Sequence, residues 1–227
     1  MSNTQSATST NRASAIKYVI LISGGGSNLQ AFIDRSQSGA LSGNIAAVVS
    51  NRADAAGLQR ASAANIATEV LDHRAFPSRE HFDAQLTQVI DHYQPDLVIL
   101  AGFMRILTPA FVDHYQGRLM NVHPSLLPKY PGLNTHQRAI DAGDSHSGAT
   151  VHFVTEQLDG GPPIIQASVP IAHNDSPATL AARTLQCEHV IYPMAAQWFA
   201  EGRLQLDNQC AILDHTTLPA NGYQYPQ

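Results

Sequence analysis

An asparagine and a histidine two residues apart, Asn121 and His123, stand in the stretch MNVHPSLLPKYPG at residues 120–132, among three prolines. On an extended backbone, positions i and i+2 face the same way, so a carboxamide and an imidazole come to lie side by side. Pro124 keeps His123 extended, and Pro128 and Pro131 keep the following loop out of a helix. Two donors held in one orientation suit a developing oxyanion, because they need no reorganisation as the charge forms. A lone loop histidine is more often a plain hydrogen-bonding group; the neighbouring Asn121 and the stiff frame distinguish this one. A third member should be acidic, since a carboxylate favours the imidazolium and gives a proton relay its acceptor. VTEQLDGGP, at residues 154–162, offers Asp159 on a Gly–Gly–Pro turn, with Glu156 as the local competitor. Spacing leaves both open and prefers Asp159.

A second constellation is SGGGSNLQ, at residues 23–30. A P-loop needs a lysine after its last glycine, and none follows here. The dinucleotide fingerprint begins at Gly24 and Gly26 but meets Leu29 where its third glycine belongs. The second strand ends in Ser50–Asn51 rather than in the acidic residue that binds a ribose hydroxyl. What remains is a turn with free N–H groups at a helix N-terminus, plus the side chains of Ser27 and Asn28. Such a turn suits one phosphate monoester. The alternative is a glycine turn chosen only for tight geometry.

These groups need elements to carry them. IKYVILIS (residues 16–23), NIAAVVSN (44–51), ATEVLD (67–72) and PDLVILAGF (95–103) are apolar runs that read as strands. Helical spacing follows the first run, ADAAGLQRASAAN (53–65) follows the second, and SREHFDAQLTQVIDHY (78–93) follows the third with Ser78 as a cap. A short helix after Pro109 and a strand at 118–123 complete this part. Alternation of this kind predicts an α/β fold, a three-layer Rossmann-like open sheet that is mainly parallel. GATVHFVTE (148–156) and PPIIQASVPI (162–171) follow each other without a helix, which predicts an antiparallel C-terminal extension. A long helix starts at Ser176 and Pro177, with a kink expected at Pro193. A short strand or hairpin should lie around 203–213. The expected organisation is a disordered tail over 1–15, a single domain over 16–213 and a loose tail over 214–227. The strand ends would place Asn121 and His123 where open parallel sheets bind ligands.

Composition narrows the function classes. The chain has 227 residues, 44% of them apolar, enough for a substantial core. Its net charge is −5 with only two lysines, Lys17 and Lys129, so the basic footprint of a nucleic-acid binder is missing. No apolar run reaches the ~20 residues of a membrane span. Two cysteines, Cys187 and Cys210, are too few for a disulfide framework and read as reduced thiols of a cytosolic protein. No metal-ligand spacing occurs among the eleven histidines.

Taken together, LISGGGSNLQ, AGFMRIL, NVHPSLLPKYPG, VHFVTEQLDGGP and the CEH at 187–189 resemble the folate-dependent formyltransferases of purine synthesis, the phosphoribosylglycinamide formyltransferase family, in order and spacing. The resemblance runs over most of the chain. It implies that Asn121, His123 and Asp159 form the catalytic set. It also implies that Gly26, Ser27 and Asn28 hold the phosphate of the ribonucleotide, with its sugar or glycinamide end near Glu188. By the same resemblance, Met104, Arg105, Ile106, Leu107 and Asn121 would hold the folate, and Arg79 its glutamate tail. The implied co-substrate is 10-formyltetrahydrofolate, with no metal. The implied partners are small molecules, without nucleic acid or membrane, for a cytoplasmic monomer or homodimer. Methionyl-tRNA formyltransferases share such a core but carry an RNA-binding domain, and formyltetrahydrofolate hydrolases carry an extra N-terminal domain. With fewer than thirty residues after the last helix and a short N-terminal tail, neither is expected. A non-catalytic nucleotide-binding module would use the glycine loop alone and leave Asn121, His123 and Asp159 unexplained.

Overall fold

The computed structural model describes residues 15–226; apart from Ala15, the tail expected over 1–15 lies outside the described residues. The first half runs β1 (Lys17–Ile22), α1 (Ser27–Gln37), β2 (Asn44–Ser50), α2 (Ala56–Ala63), β3 (Ala67–Val70), α3 (Arg79–His92) and β4 (Leu97–Leu100). It continues as α4 (Pro109–His114), β5 (Leu119–His123), α5 (Thr135–Asp141), β6 (His146–Phe153), β7 (Pro163–Pro170) and α6 (Pro177–Ala200). Four short strands close it: β8 (Leu204–Asp207), β9 (Cys210–Leu213), β10 (Thr216–Thr217) and β11 (Tyr223–Gln224).

One sheet has the order β11-β7-β6-β5-β4-β1-β2-β3, and β8, β9 and β10 form a second, three-stranded one. From β3 through β5 all pairings are parallel, whereas β6 runs antiparallel to both β5 and β7. This is the α/β architecture with an antiparallel extension that the apolar runs predict. The alternation of β1 shows why those runs are continuous. Tyr18, Ile20 and Ile22 enter a core with α1 and α6, while Val19 and Leu21 enter one with α3 and α4. With both faces covered, neither parity of side chain meets water.

One detail departs from expectation. The region read as a loose tail over 214–227 supplies β10 and β11, and β11 pairs in parallel with β7. Tyr223 also packs edge-on against Trp198, with centroids 5.4 Å apart. Strands of two residues are too short for any periodic signal, so sequence reading passes over them. The helix α6 extends through Pro193, which is buried there with Tyr192 and Ala196; the proline removes one backbone bond from that turn. Tyr192 also donates to the carbonyls of Met120 and Leu100, at 2.8 and 3.1 Å, tying α6 to the start of β5 and the carboxyl end of β4. Among the described residues, no helix is long and apolar enough to cross a membrane.

Candidate active site

The chain leaves β1 toward β2 on one side and later returns past it to β4. The carboxyl ends of β1 and β4 therefore flank a topological switch point, where open α/β sheets form a crevice. A crevice of about 400 Å³ lies there, lined by the glycine loop after β1, by Asn51, Arg52 and His73, and by Ala101–Gly102, Met104 and Arg105 after β4. The glycine loop presents donors because its carbonyls are engaged elsewhere. Gly24 O accepts from Gly57 N at 3.0 Å, and Gly25 O accepts from Arg60 Nε at 2.8 Å. The first backbone bond of α1 is Gln30 N to Gly26 O, so the N–H groups of Ser27, Asn28 and Leu29 remain free at its N-terminus. Its first turn carries no acidic side chain. Such geometry, with the helix dipole, suits an anion. Gly26 has φ +71°, and a Cβ on it would lie 2.7 Å from Gly57 Cα, so glycine there serves both the turn and the α1–α2 contact.

The side chain of Asn28 links α1 to α6. It is buried and donates from Nδ2 to Glu188 Oε2 at 2.7 Å. Its Oδ1 is buried without a partner among the described residues, as is Thr184 Oγ1 one turn before Glu188. Glu188 is itself buried, which raises its carboxyl from the ordinary 4.5 to about 6 against the opposing pull of the Asn28 bond. Residues 160 positions apart thus meet through α1 and α6.

Asn121 and His123 occupy alternate positions of β5 on the face opposite Met120 and Val122, which enter the α1–α6 core. The structure places Asp159, rather than the exposed Glu156, against this pair. Asp159 Oδ2 lies 3.4 Å from His123 Nδ1 and accepts from Gly132 N at 2.8 Å, joining the loops after β5 and β6. Asp159 adopts φ +50°, a strained conformation for a non-glycine residue. The turn leaves no alternative to Gly161, whose Cβ would lie 1.8 Å from Phe153 O. His123 Nε2 faces Tyr130 O at 2.8 Å, so the ring lies between that carbonyl and the Asp159 carboxylate. Opposite Asn121 in the sheet is His152. Burial lowers its imidazole to about 4, and its Nδ1 bonds to Phe153 O. Nε2 is then the acceptor, 3.4 Å from Asn121 Nδ2. Sequence reading passed over His152 as a partner because cross-strand pairing, not spacing, brings it there.

The segment 104–107 forms the other wall. Met104 and Ile106 are 76% and 58% exposed, whereas Phe103 and Leu107 pack on the α3–α4 core. Arg105 lies over the Phe82 ring, 4.5 Å from its centroid. Arg79, at the start of α3, is exposed and has no hydrogen-bond or ion-pair partner among the described residues. Also among these residues, no group of three or more His, Cys, Asp or Glu is placed to hold a metal ion.

Residues 16–196 match the family model described as formyl transferase. The chain is 56% identical over 205 residues to the phosphoribosylglycinamide formyltransferase of Escherichia coli (strain K12), covering 90% of this chain and 97% of that one. A solved phosphoribosylglycinamide formyltransferase from Coxiella burnetii, in complex with CHES, superposes with TM-score 0.90 at 52% identity, covering 93% of this chain and 99% of its own. A formyltetrahydrofolate deformylase from Pseudomonas syringae pv. tomato is more distant, at TM-score 0.82 and 27% identity, covering 88% of this chain and 66% of its own. A match spanning the glycine loop, the β5 pair and the Asp159 turn together makes the chain a member of the formyl transferase family.

Proposed function

We infer that the protein is a phosphoribosylglycinamide formyltransferase, moving the formyl group of 10-formyltetrahydrofolate to the glycinamide amine in purine synthesis. The observation that carries this reading is the seating of Asp159 on His123, beside Asn121, with the N–H groups that begin α1 lining a crevice of the same sheet. An anion-binding turn and an oxyanion pair carried by one sheet suit a phosphorylated acceptor whose reactive amine lies away from its phosphate. The N–H groups of Ser27 and Asn28 take the phosphate, and Glu188 accepts from the sugar hydroxyls. The unbonded backbone of residues 105–107 and the free guanidinium of Arg79 suit a flat ring edge and a carboxylate tail.

The amine attacks the formyl carbon, forming a C–N bond as the carbonyl electrons move to oxygen. Asn121 and His123 donate to that oxygen, for which His123 exchanges the Tyr130 carbonyl for the substrate. Asp159 keeps the imidazolium oriented and relays the proton lost by the amine toward the departing folate nitrogen, and the second C–N bond breaks. Both substrates are small and water-soluble, as befits a cytoplasmic enzyme acting as a monomer or homodimer.

The test is a formyl-transfer assay offering glycinamide ribonucleotide, initiator tRNA and water as competing acceptors. Transfer to the ribonucleotide alone is expected. Dominant formylation of the tRNA, or hydrolysis that outpaces transfer, would replace this assignment with another activity of the family.

A further inference from the structure

The wall formed by residues 104–107 is held by an arrangement that the reaction itself does not explain. The backbone N–H and C=O groups of Arg105, Ile106 and Leu107 have no hydrogen-bond partner among the described residues. A segment without backbone bonds should be slack, yet this one is fixed at both ends. Met104 N donates to Ser23 Oγ at 2.8 Å, and the Ser23 hydroxyl is oriented by donating to Asn51 Oδ1 at 2.6 Å. At the far end, Thr108 N donates to Asp83 Oδ2 at 2.6 Å. Asp83 is 2% exposed, and its Oδ1 is buried without a partner among the described residues. A half-satisfied buried carboxylate costs stability, so a purely structural tie would be better made by a neutral acceptor. The helix carrying Asp83 also presents Arg79 and, under Arg105, Phe82. These three sit at i, i+3 and i+4, on one face of α3.

We propose that Asp83 and Ser23 are positioning residues for the folate, clamping the two ends of the 104–107 segment so that its backbone edge stays open to the pteridine ring. The clamp uses the segment's own terminal N–H groups and leaves the intervening N–H and C=O groups for a ring edge of alternating donors and acceptors. Because α3 bears both the clamp and Arg79, the ring site and the tail site are set by one rigid element. The proposal rests on the reading of 104–107 as the folate wall.

Calorimetric titration of the full-length protein with a non-transferring deazafolate analogue, and separately with phosphoribosylglycinamide, tests it. Asp83→Ala should weaken the analogue roughly tenfold or more, the loss of one charge-assisted bond, and leave the ribonucleotide within about twofold. In turnover, KM for the formyl donor should rise while kcat at saturation holds. Asp83→Asn should recover most of the affinity, since its carboxamide oxygen still accepts from Thr108. Ser23→Ala, read by analogue affinity alone, makes the same comparison should Asp83→Ala not fold. Wild-type analogue affinity in Asp83→Ala, equal loss of both ligands, or an Asn variant no better than Ala overturns the clamp. A wild-type protein that binds the ribonucleotide but not the analogue overturns the folate reading itself.

Discussion

Asp159→Asn isolates a single charge. The side chain keeps its size, an amide oxygen can still accept from Gly132 N at the place where Oδ2 now lies 2.8 Å away, and asparagine tolerates the φ of +50° found there. The turn should therefore survive while His123 loses its carboxylate. Removing an acid–base partner costs ~10²–10⁴ in rate. The loss should fall on kcat, with KM for both substrates little changed, because the interaction strengthens mainly in the transition state. Steady-state kinetics on both substrates checks this, with exposed Glu156→Gln as the control. If the Glu156 variant loses kcat and the Asp159 variant keeps it, the wrong carboxylate has been assigned. The choice between these two was only partly legible in the sequence. Spacing offered both, and what decides is the Gly160–Gly161 turn, which brings Asp159 back to β5.

At the scale of elements, the glycine loop separates what folding needs from what binding needs. Gly25 has nothing within 4 Å of where a Cβ would stand, whereas Gly26 combines φ +71° with a Cβ position 2.7 Å from Gly57 Cα. Gly26→Ala should therefore destabilise the protein by ~1–3 kcal/mol through the left-handed backbone and the displaced α1–α2 contact. Gly25→Ala should stay within ~0.5 kcal/mol of the parent. Urea unfolding of both variants decides it, and equal midpoints would mean that the loop relaxes freely. The strands carrying these loops were legible because they are buried on both faces and so leave unbroken apolar runs. The polar ties between elements were not. Ser23 to Met104 spans 81 residues and Asn28 to Glu188 spans 160. No local pattern records a bond that exists only after the sheet has assembled. The short pairing of β11 was lost for the opposite reason, having too few residues to carry any pattern.

Across the whole molecule, one buried carboxylate links the proposed substrate contact to the core. Glu188 sits where α1 and α6 close over the sheet, 7% exposed, and the cost of keeping it there is a stability term that depends on pH. Its carboxyl rises from 4.5 unfolded to about 6 folded, equivalent to about 2 kcal/mol. Below the unfolded value of 4.5 the group is protonated in both states and costs nothing. As pH rises from there, the unfolded chain ionises first, so folded stability falls until the penalty is complete above about 6. Glu188→Gln keeps an acceptor for Asn28 Nδ2 and removes the charge. The variant should therefore be more stable than the parent by up to about 2 kcal/mol at neutral pH, and the advantage should shrink away toward pH 4.5. Other titrating groups are common to both proteins and cancel in the difference. At the same time, an amide is a weaker acceptor for sugar hydroxyls than a carboxylate, so the stabilised variant should bind phosphoribosylglycinamide less well. Urea unfolding at the two pH values, with a titration of the ribonucleotide at neutral pH, measures both sides. A stability difference that does not change with pH would show that burial does not tax this carboxylate. Unchanged ribonucleotide affinity would show that Glu188 serves the α1–α6 packing rather than the substrate.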